Sequence, residues 1–421
     1  MTRDRLDLLF VSPWPPSPAT FGAQRRVEGL MVSLARQHRV SCVALVNPEF
    51  DMASAERAIR AYADEVVLVP SPPERGLGKR LLQLRSLASS SSFERRHFAL
   101  RPLAQALDGV LRRRRYDVVS VESPHLIQHR VRQAPAGQAL PRVLLDEHNI
   151  EFDLARQSRG ASRGLLRQLH HTVNWQKIRR EEIAAWHAAD GVAFTSQDDA
   201  ARARAVLPSV RAAVIPNAVD VEHFRPRRDL ERPDASTVVF FGTLNYFPNQ
   251  DAMLYFLREV WPVLERSHPR ARLKVIGPQP TPEVLAYQGP RVEVAGLVPD
   301  LRPHLAEAAC VIAPLRVGGG TRFKILEAMA MGKAIVSTTV GAEGIGAVPG
   351  RDLLIADEPA SFASAVGRVL DDPELATSMG RSGRSLVEAR YSWRAAGDDL
   401  ERFLCELLAD TAAPQLARSR A

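Results

Sequence analysis

Lys324 and Glu327 stand one helical turn apart, just after three consecutive glycines, Gly318, Gly319 and Gly320. Residues at i and i+3 share a helix face. The apolar run Cys310–Leu315 predicts a buried strand, the apolar-periodic stretch carrying Lys324 predicts a short helix, and Ala334–Ser337 predicts the next strand. A strand, a glycine turn and a helix start together make an anion site. Backbone N–H groups point at the ligand, and glycine lets them come close. A carboxylate on that face suits two ribose hydroxyls, and an ammonium suits phosphate. The stretch therefore reads as a nucleotide-diphosphate site. The plainer alternative is a solvent-facing ion pair worth only about 0.3 kcal/mol. Charge-assisted hydrogen bonds to ribose would contribute about 1.5–3 kcal/mol each. Arg322 either adds charge to the same turn or faces solvent.

Three more places could do chemistry. The first predicted strand ends in SPWPPSPATFGAQRR, a Pro-rich loop closing at Gly22 before a helix that starts near Ala23. Gly22 would let that loop approach a ligand; an ordinary strand-to-helix loop is the competing reading. His148, in LLDEHNIEF, follows a predicted strand and sits at its carboxyl end among Glu147, Asn149 and Glu151. In GTLNYFPNQDAM, Gly242 and Thr243 form a further strand-to-helix turn. Asn249 reads there as the N-cap of the next helix, with Asp251 in its first turn.

The elements that must position these residues alternate along the chain. Strands are predicted at Leu6–Ser12, Val40–Val46, Glu65–Val69, Asp117–Val121, Arg142–Asp146 and Gly191–Thr195. They are short and apolar on both faces, as in a parallel sheet covered by helices. Helical patterns include Gln24–Arg36 and a long stretch, Ile150–His187, broken near Gly160–Gly164. Pro226–Ser236 reads as an interdomain linker. A second series follows, with strands at Thr237–Gly242, Ala271–Gly277, Arg291–Ala295, Cys310–Leu315 and Ala334–Ser337, then helices at Ser361–Leu370, Pro373–Arg390 and Trp393–Leu408. Two doubly wound α/β domains are expected, with a cleft between the carboxyl ends of their strands.

The totals agree. A chain of 421 residues is too long for one core. Cys42 and Cys310 lie in apolar runs and read as buried free thiols, which fits a reducing, cytoplasmic compartment. The N-terminus does not read as a signal peptide, and no apolar run reaches the ~18 residues of a membrane span. The formal charge of +8 leaves phosphorylated ligands and an anionic membrane surface as partners. No zinc spacing, RNA-binding aromatic signature or helix-turn-helix pattern supports nucleic acid.

With these residues in place, the chain resembles the family-4 retaining glycosyltransferases of the GT-B fold, also called group 1 glycosyltransferases, and in particular their exopolysaccharide-type members. The resemblance rests on the Gly22 loop, SVESPHL, DEHNIEF, AFTSQDD, VIPNAVDVEHFRP, FFGTLNYFPNQDA, GLVPDL, APLRVGGGTRFKILEAMAMGKAIVSTTVGAEGI and EARYSW, which follow the family's order over nearly the whole chain. It implies an N-terminal acceptor-side domain over residues 1–216, completed by a returning helix at 391–410, and a donor-binding domain over residues 217–390. Glu327 would hold the ribose. Gly242, Thr243, Lys324, Arg322 and the Gly319–Gly320–Thr321 turn would grip the diphosphate of a UDP- or GDP-linked sugar, with Gly296–Val298 near the base. Gly22 would approach the diphosphate and His148 the donor sugar. Family members often carry a first, sugar-contacting glutamate where this chain has Gly319, which leaves backbone amides to take its place.

The implied reaction moves a sugar, with retention, to a hydroxyl of a glycan or lipid-linked acceptor in polysaccharide or glycoconjugate assembly. No Asp-x-Asp triplet offers itself to a metal, so Lys324 and helix amides would meet the diphosphate charge, with no cofactor. An epimerase or phosphorylase on the same fold, and an inactive nucleotide-sugar-binding partner, are the alternative readings.

Overall fold

The computed structural model describes residues 5–48, 50–71, 82, 85–86, 89–129, 139–160, 165–226, 234–318 and 321–410. The chain forms two compact units, one of residues 1–216 with 396–421, the other of residues 217–395.

The first unit is built on seven parallel strands: β1 (Asp7–Ser12), β2 (Arg39–Val46), β3 (Glu65–Pro70), β4 (Val118–Val121), β5 (Arg142–Glu147), β6 (Gly191–Phe194) and β7 (Ala212–Val214), in the order β3-β2-β1-β4-β5-β6-β7. Phe10 of β1 pairs with Cys42 on one side and Ser120 on the other. Nearly every residue of β1, β2 and β4 is buried, because helices cover both faces; only Asp7 and Arg39, which open β1 and β2, reach water. The order reverses at β1, so the loops after β1 and β4 part there and leave a crevice at their carboxyl ends. The helix Trp393–Ala409 lays Ala396, Gly397, Leu400, Phe403, Leu404 and Leu407 inward. Gly191 opens β6 beneath it; a Cβ there would fall 2.8 Å from both Leu407 and Phe403.

The second unit has six parallel strands: β8 (Asp234–Phe241), β9 (Arg272–Ile276), β10 (Val292–Gly296), β11 (Ala308–Ala313), β12 (Ile335–Ser337) and β13 (Leu354–Ile355), in the order β10-β9-β8-β11-β12-β13. Its order reverses at β8, so the loops after β8 and β11 flank the crevice. Two cores lie on the two faces of the sheet, one around Phe240, Phe256, Val275 and Phe362, the other around Val239, Ile276, Val311, Ile325 and Met329. This alternation is the period-2 pleat of β8 and β9 sending successive side chains to opposite faces.

Most expected elements appear within a residue or two of their sequence bounds. In the long helical stretch, Glu151–Gly160 and Leu165–Ala188 are helical; residues 161–164, where the break is expected, lie outside the described residues. One expectation is corrected. β8 begins at Asp234, inside the stretch read as a linker, because Asp234–Ser236 continue the extended backbone and Asp234 pairs with Ala308 of β11. Cys42 and Cys310 are buried and free. Among the described residues, no helix is long and apolar enough to cross a membrane.

Candidate functional site

In the second unit the site forms where β8 and β11 part. Gly242 follows β8 with φ of +148°, a conformation that side chains rarely adopt. The turn beyond it leads into the helix Phe247–Tyr255, whose N-cap is Tyr246. Asn249 therefore does not cap this helix, as its sequence position suggested. It lies inside the first turn and uses its side chain elsewhere. Its Nδ2 donates to the carbonyl of Thr243 at 3.0 Å, and its Oδ1 accepts from Lys324 Nζ at 2.7 Å. Lys324 enters from the helix Phe323–Ala330 after β11, and its ammonium also lies 4.1 Å from the ring centroid of Phe240. Gly242, Thr243 and Lys324, distant in sequence, thus meet around one side chain.

Lys324 is half-buried. Burial and then the neighbouring Arg322 charge lower its pKa to about 7, against the pull of Glu327. Glu327, 4% exposed, sits one turn further along the same helix. Arg322 does not face solvent. It is buried, donates to the Val340 carbonyl at 3.2 Å and lies 4.0 Å from Glu343. Gly318, φ +149°, makes room for it, since a Cβ there would stand 2.8 Å from the guanidinium. The carbonyl of Thr321 accepts from Asn217 Nδ2 at 2.9 Å, which ties the helix start to the PNAVD segment. Gly319 and Gly320 lie outside the described residues. Asp251 forms a two-pronged pair with Arg316, at 2.6 and 3.0 Å.

In the first unit a charged group forms at the ends of β4 and β5. His148 Nε2 lies 3.2 Å from Glu122 Oε2 and 3.4 Å from Asp146 Oδ2. Asp146 takes a two-pronged pair from Arg26, at 2.6 and 2.8 Å, and Arg26 also donates to the Ile215 carbonyl at 2.8 Å. Arg26 is 1% exposed. Ser120 donates to the other oxygen of Glu122 at 2.7 Å. Burial alone would lower His148; hydrogen bonds to Asp146 and Glu122 outweigh it and bring its pKa up to about 9. Burial would raise Asp146, but the Arg26 charge holds it well below the usual carboxylate range. Burial and the Asp146 charge raise Glu122. The donor atoms of Glu122, Asp146 and His148 lie within 4.8 Å of one another, a spacing that could hold a cation. Arg26 and protonated His148 supply positive charge at the same place.

Gly22 is the first residue of the helix Gly22–Leu34. Its loop is fixed by Gln24, which accepts from Thr20 N and Oγ1 and donates to the Pro15 carbonyl. Trp14 joins this loop to the histidine, with ring centroids 5.3 Å from Phe21 and 6.3 Å from His148. A second acid cluster is built on Glu147, the residue before His148, and Glu182. Glu182 accepts from the backbone N–H groups of Glu151 and Phe152, at 2.7 and 2.9 Å, and so caps their helix. Glu147 accepts from Trp186 Nε1 at 2.8 Å, and its other oxygen is buried without a hydrogen-bond partner. Burial and then the Glu182 charge hold Glu147 well above the usual range.

Sequence reasoning missed Arg26, Glu122, Asp146 and the contact of Asn249 with Lys324. The signal for Glu122 and Asp146 was present, since each is an acid at the carboxyl end of a predicted strand.

Two Rossmann-like units, each built on a parallel sheet, define the GT-B fold. Residues 235–372 match the family model described as "Glycosyl transferases group 1". That stretch of the second unit is a group 1 glycosyltransferase domain. The chain is 28% identical over 305 residues to the GDP-mannose-dependent alpha-(1-6)-phosphatidylinositol monomannoside mannosyltransferase of Mycolicibacterium smegmatis, covering 66% of this chain and 77% of that one. The enzyme of the same description from Mycobacterium tuberculosis is 27% identical over 341 residues, covering 72% and 86%. Among solved structures, the sucrose-phosphate synthase of Thermosynechococcus elongatus aligns with a TM-score of 0.72 at 17% identity, covering 96% of this chain and 99% of that one. Anabaena Alr3699/HepE, in complex with UDP-glucose, aligns with a TM-score of 0.66 at 14% identity, covering 95% and 100%.

Proposed function

We propose that this glycosyltransferase moves a sugar, with retention and without a metal ion, from a GDP- or UDP-linked donor to a hydroxyl of a lipid-linked or glycan acceptor. The observation that carries this reading is the ammonium of Lys324, held 2.7 Å from Asn249 at the glycine turn after β8, on the helix that also carries buried Glu327. Lys324, with Arg322 two residues before it, would offer positive charge where a leaving diphosphate would gather its negative charge. Stabilising that charge is the main catalytic device of such a transfer. Glu327 would accept from the ribose hydroxyls, and Gly242 and Thr243 would admit the phosphates.

By the family resemblance, His148 would meet the donor sugar and Gly22 the diphosphate. A protonated His148, held by Glu122 and Asp146, would favour electron-rich oxygens of the sugar. The leaving phosphate would help take the acceptor proton. The mycobacterial relatives, by their descriptions, use GDP-mannose on a phosphatidylinositol mannoside, which supports a glycolipid acceptor reached at a membrane surface. They favour that reading over assembly of a soluble exopolysaccharide.

The test is a thermal-shift screen of UDP-, GDP- and ADP-sugars, followed by turnover of the stabilising donor with and without a lipid extract. A binding donor raises the melting temperature. Acceptor-dependent release of the nucleotide, with the anomeric configuration kept, is expected. No donor turnover, together with unchanged nucleotide binding in Glu327→Ala, would overturn the assignment.

A further inference from the structure

Asn249 is 8% exposed, and both ends of its amide are engaged. Donation of Nδ2 to the Thr243 carbonyl at 3.0 Å fixes which way the amide points, and Oδ1 then accepts from Lys324 at 2.7 Å. Neither bond serves the helix on which Asn249 stands, whose N-cap is Tyr246. The space around the pair is shaped as well. Phe240 lies 4.1 Å from the ammonium. A Cβ on Gly242 would fall 2.8 Å from Asn249 Nδ2 and 3.2 Å from Lys324 Nζ, so the pair fills the room that the missing side chain leaves.

The chemical type of the acceptor matters. A carboxylate here would direct the ammonium equally well but would pair with it and compete with an anionic ligand. A carboxamide gives the direction and adds no counter-charge. Holding a group in its productive place ahead of binding also spares the ligand the cost of ordering it.

We propose that Asn249 is a positioning residue that aims the Lys324 ammonium at the donor diphosphate without neutralising it. This rests on the donor-site reading above. The lowered pKa of Lys324, about 7, is consistent with a neutral partner.

The experiment measures the Kd of UDP and of GDP by calorimetry from pH 6 to 9. It uses the intact wild-type chain and the variants Asn249→Ala, Asn249→Asp, Lys324→Ala and Asn249→Ala/Lys324→Ala, each checked by thermal melting. Asn249→Ala should weaken binding about tenfold, on the order of one charge-assisted hydrogen bond. The double variant should bind as Lys324→Ala does, because a pointing residue has no effect once its target is gone. Asn249→Asp should weaken binding further at pH 6–7 and move the alkaline loss of affinity to higher pH, since its carboxylate keeps Lys324 protonated. A purely structural role would give additive losses in the double variant and an unmoved pH profile; either result overturns the proposal. If one Asn249 variant fails to fold, the other still decides it, through additivity for alanine and the pH profile for aspartate. Should Lys324→Ala bind as wild type, the donor-site reading itself fails, an outcome distinct from a failure of Asn249 alone.

Discussion

A Cβ placed on Gly277 would fall 1.9 Å from the carbonyl oxygen of Gly242. The two glycines end adjacent strands, β9 and β8, and both have strongly positive φ, +151° and +148°. Gly242 N donates to the Ile276 carbonyl at 2.9 Å, and Leu244 N to the Pro278 carbonyl at 3.0 Å, so one loop is laced onto the other. Gly277→Ala must therefore push the Gly242 turn away from Asn249 and Lys324. We expect a loss of about 2–3 kcal/mol in stability from strain and overpacking, read by thermal melting, with nucleotide binding weakened as well. Unchanged binding would separate the turn from the site.

Lys324→Ala should lower turnover about 10²–10³-fold, the scale of removing one group that meets developing charge. Its fold should survive, because the variant removes a half-buried ammonium whose protonated form burial already disfavours. Glu327→Ala should weaken nucleotide binding by roughly tenfold or more, in line with charge-assisted hydrogen bonds of about 1.5–3 kcal/mol. Steady-state kinetics and calorimetry separate the two. Equal effects on binding and turnover in both variants would contradict the division of roles.

Chelation gives a sharper check on charge supply. Turnover should continue in EDTA if Lys324 and backbone amides meet the diphosphate. Abolition by EDTA and rescue by a divalent ion would transfer that role to a metal.

His148 predicts a pH dependence. Its pKa in the fold, about 9, lies above the ordinary histidine value. The stability it contributes is complete below about pH 6.5, the unfolded value, and fades as pH rises through 9. His148→Gln should lower stability at pH 7 by about 3 kcal/mol, since two buried carboxylates lose a cation. It should also flatten the fall in melting temperature between pH 7 and 10. A parallel fall in both proteins would show that His148 is not charged in the fold.

Glu147 works in the same direction by the opposite route. Its carboxyl is held well above the usual range by burial and by Glu182, so the fold favours its neutral form and loses stability as pH rises above about 4.3, the unfolded value. Glu147→Gln keeps an acceptor for Trp186 and removes the charge. The variant should melt several degrees higher than wild type at pH 8, at about 2–4 °C per kcal/mol for a domain of this size, and should match it near pH 4. A lower melting temperature at pH 8 would contradict a neutral Glu147.

How far the sequence carried this reading depends on distance along the chain. The strands and their apolar faces were legible because periodicity records which side of an element is buried. Lys324 and Glu327 were legible for the same reason, being one turn apart after a glycine run. Asn249 was not. Its place near a helix start fits an N-cap, and only the turn at Gly242 shows that its amide faces Thr243 and Lys324 instead, the latter 75 residues away. Arg26 was not legible either, since it lies in an apolar-periodic helix and its partner Asp146 stands 120 residues further on. Local pattern fixes the elements and their inward faces. Which loop ends meet is decided by strand order, β1 between β2 and β4, β8 between β9 and β11. The spacing of Lys324 and Glu327 thus placed both on one helix without help from the rest of the fold. The direction in which Lys324 points, and the carboxylates that keep His148 charged, exist only once the two sheets have formed.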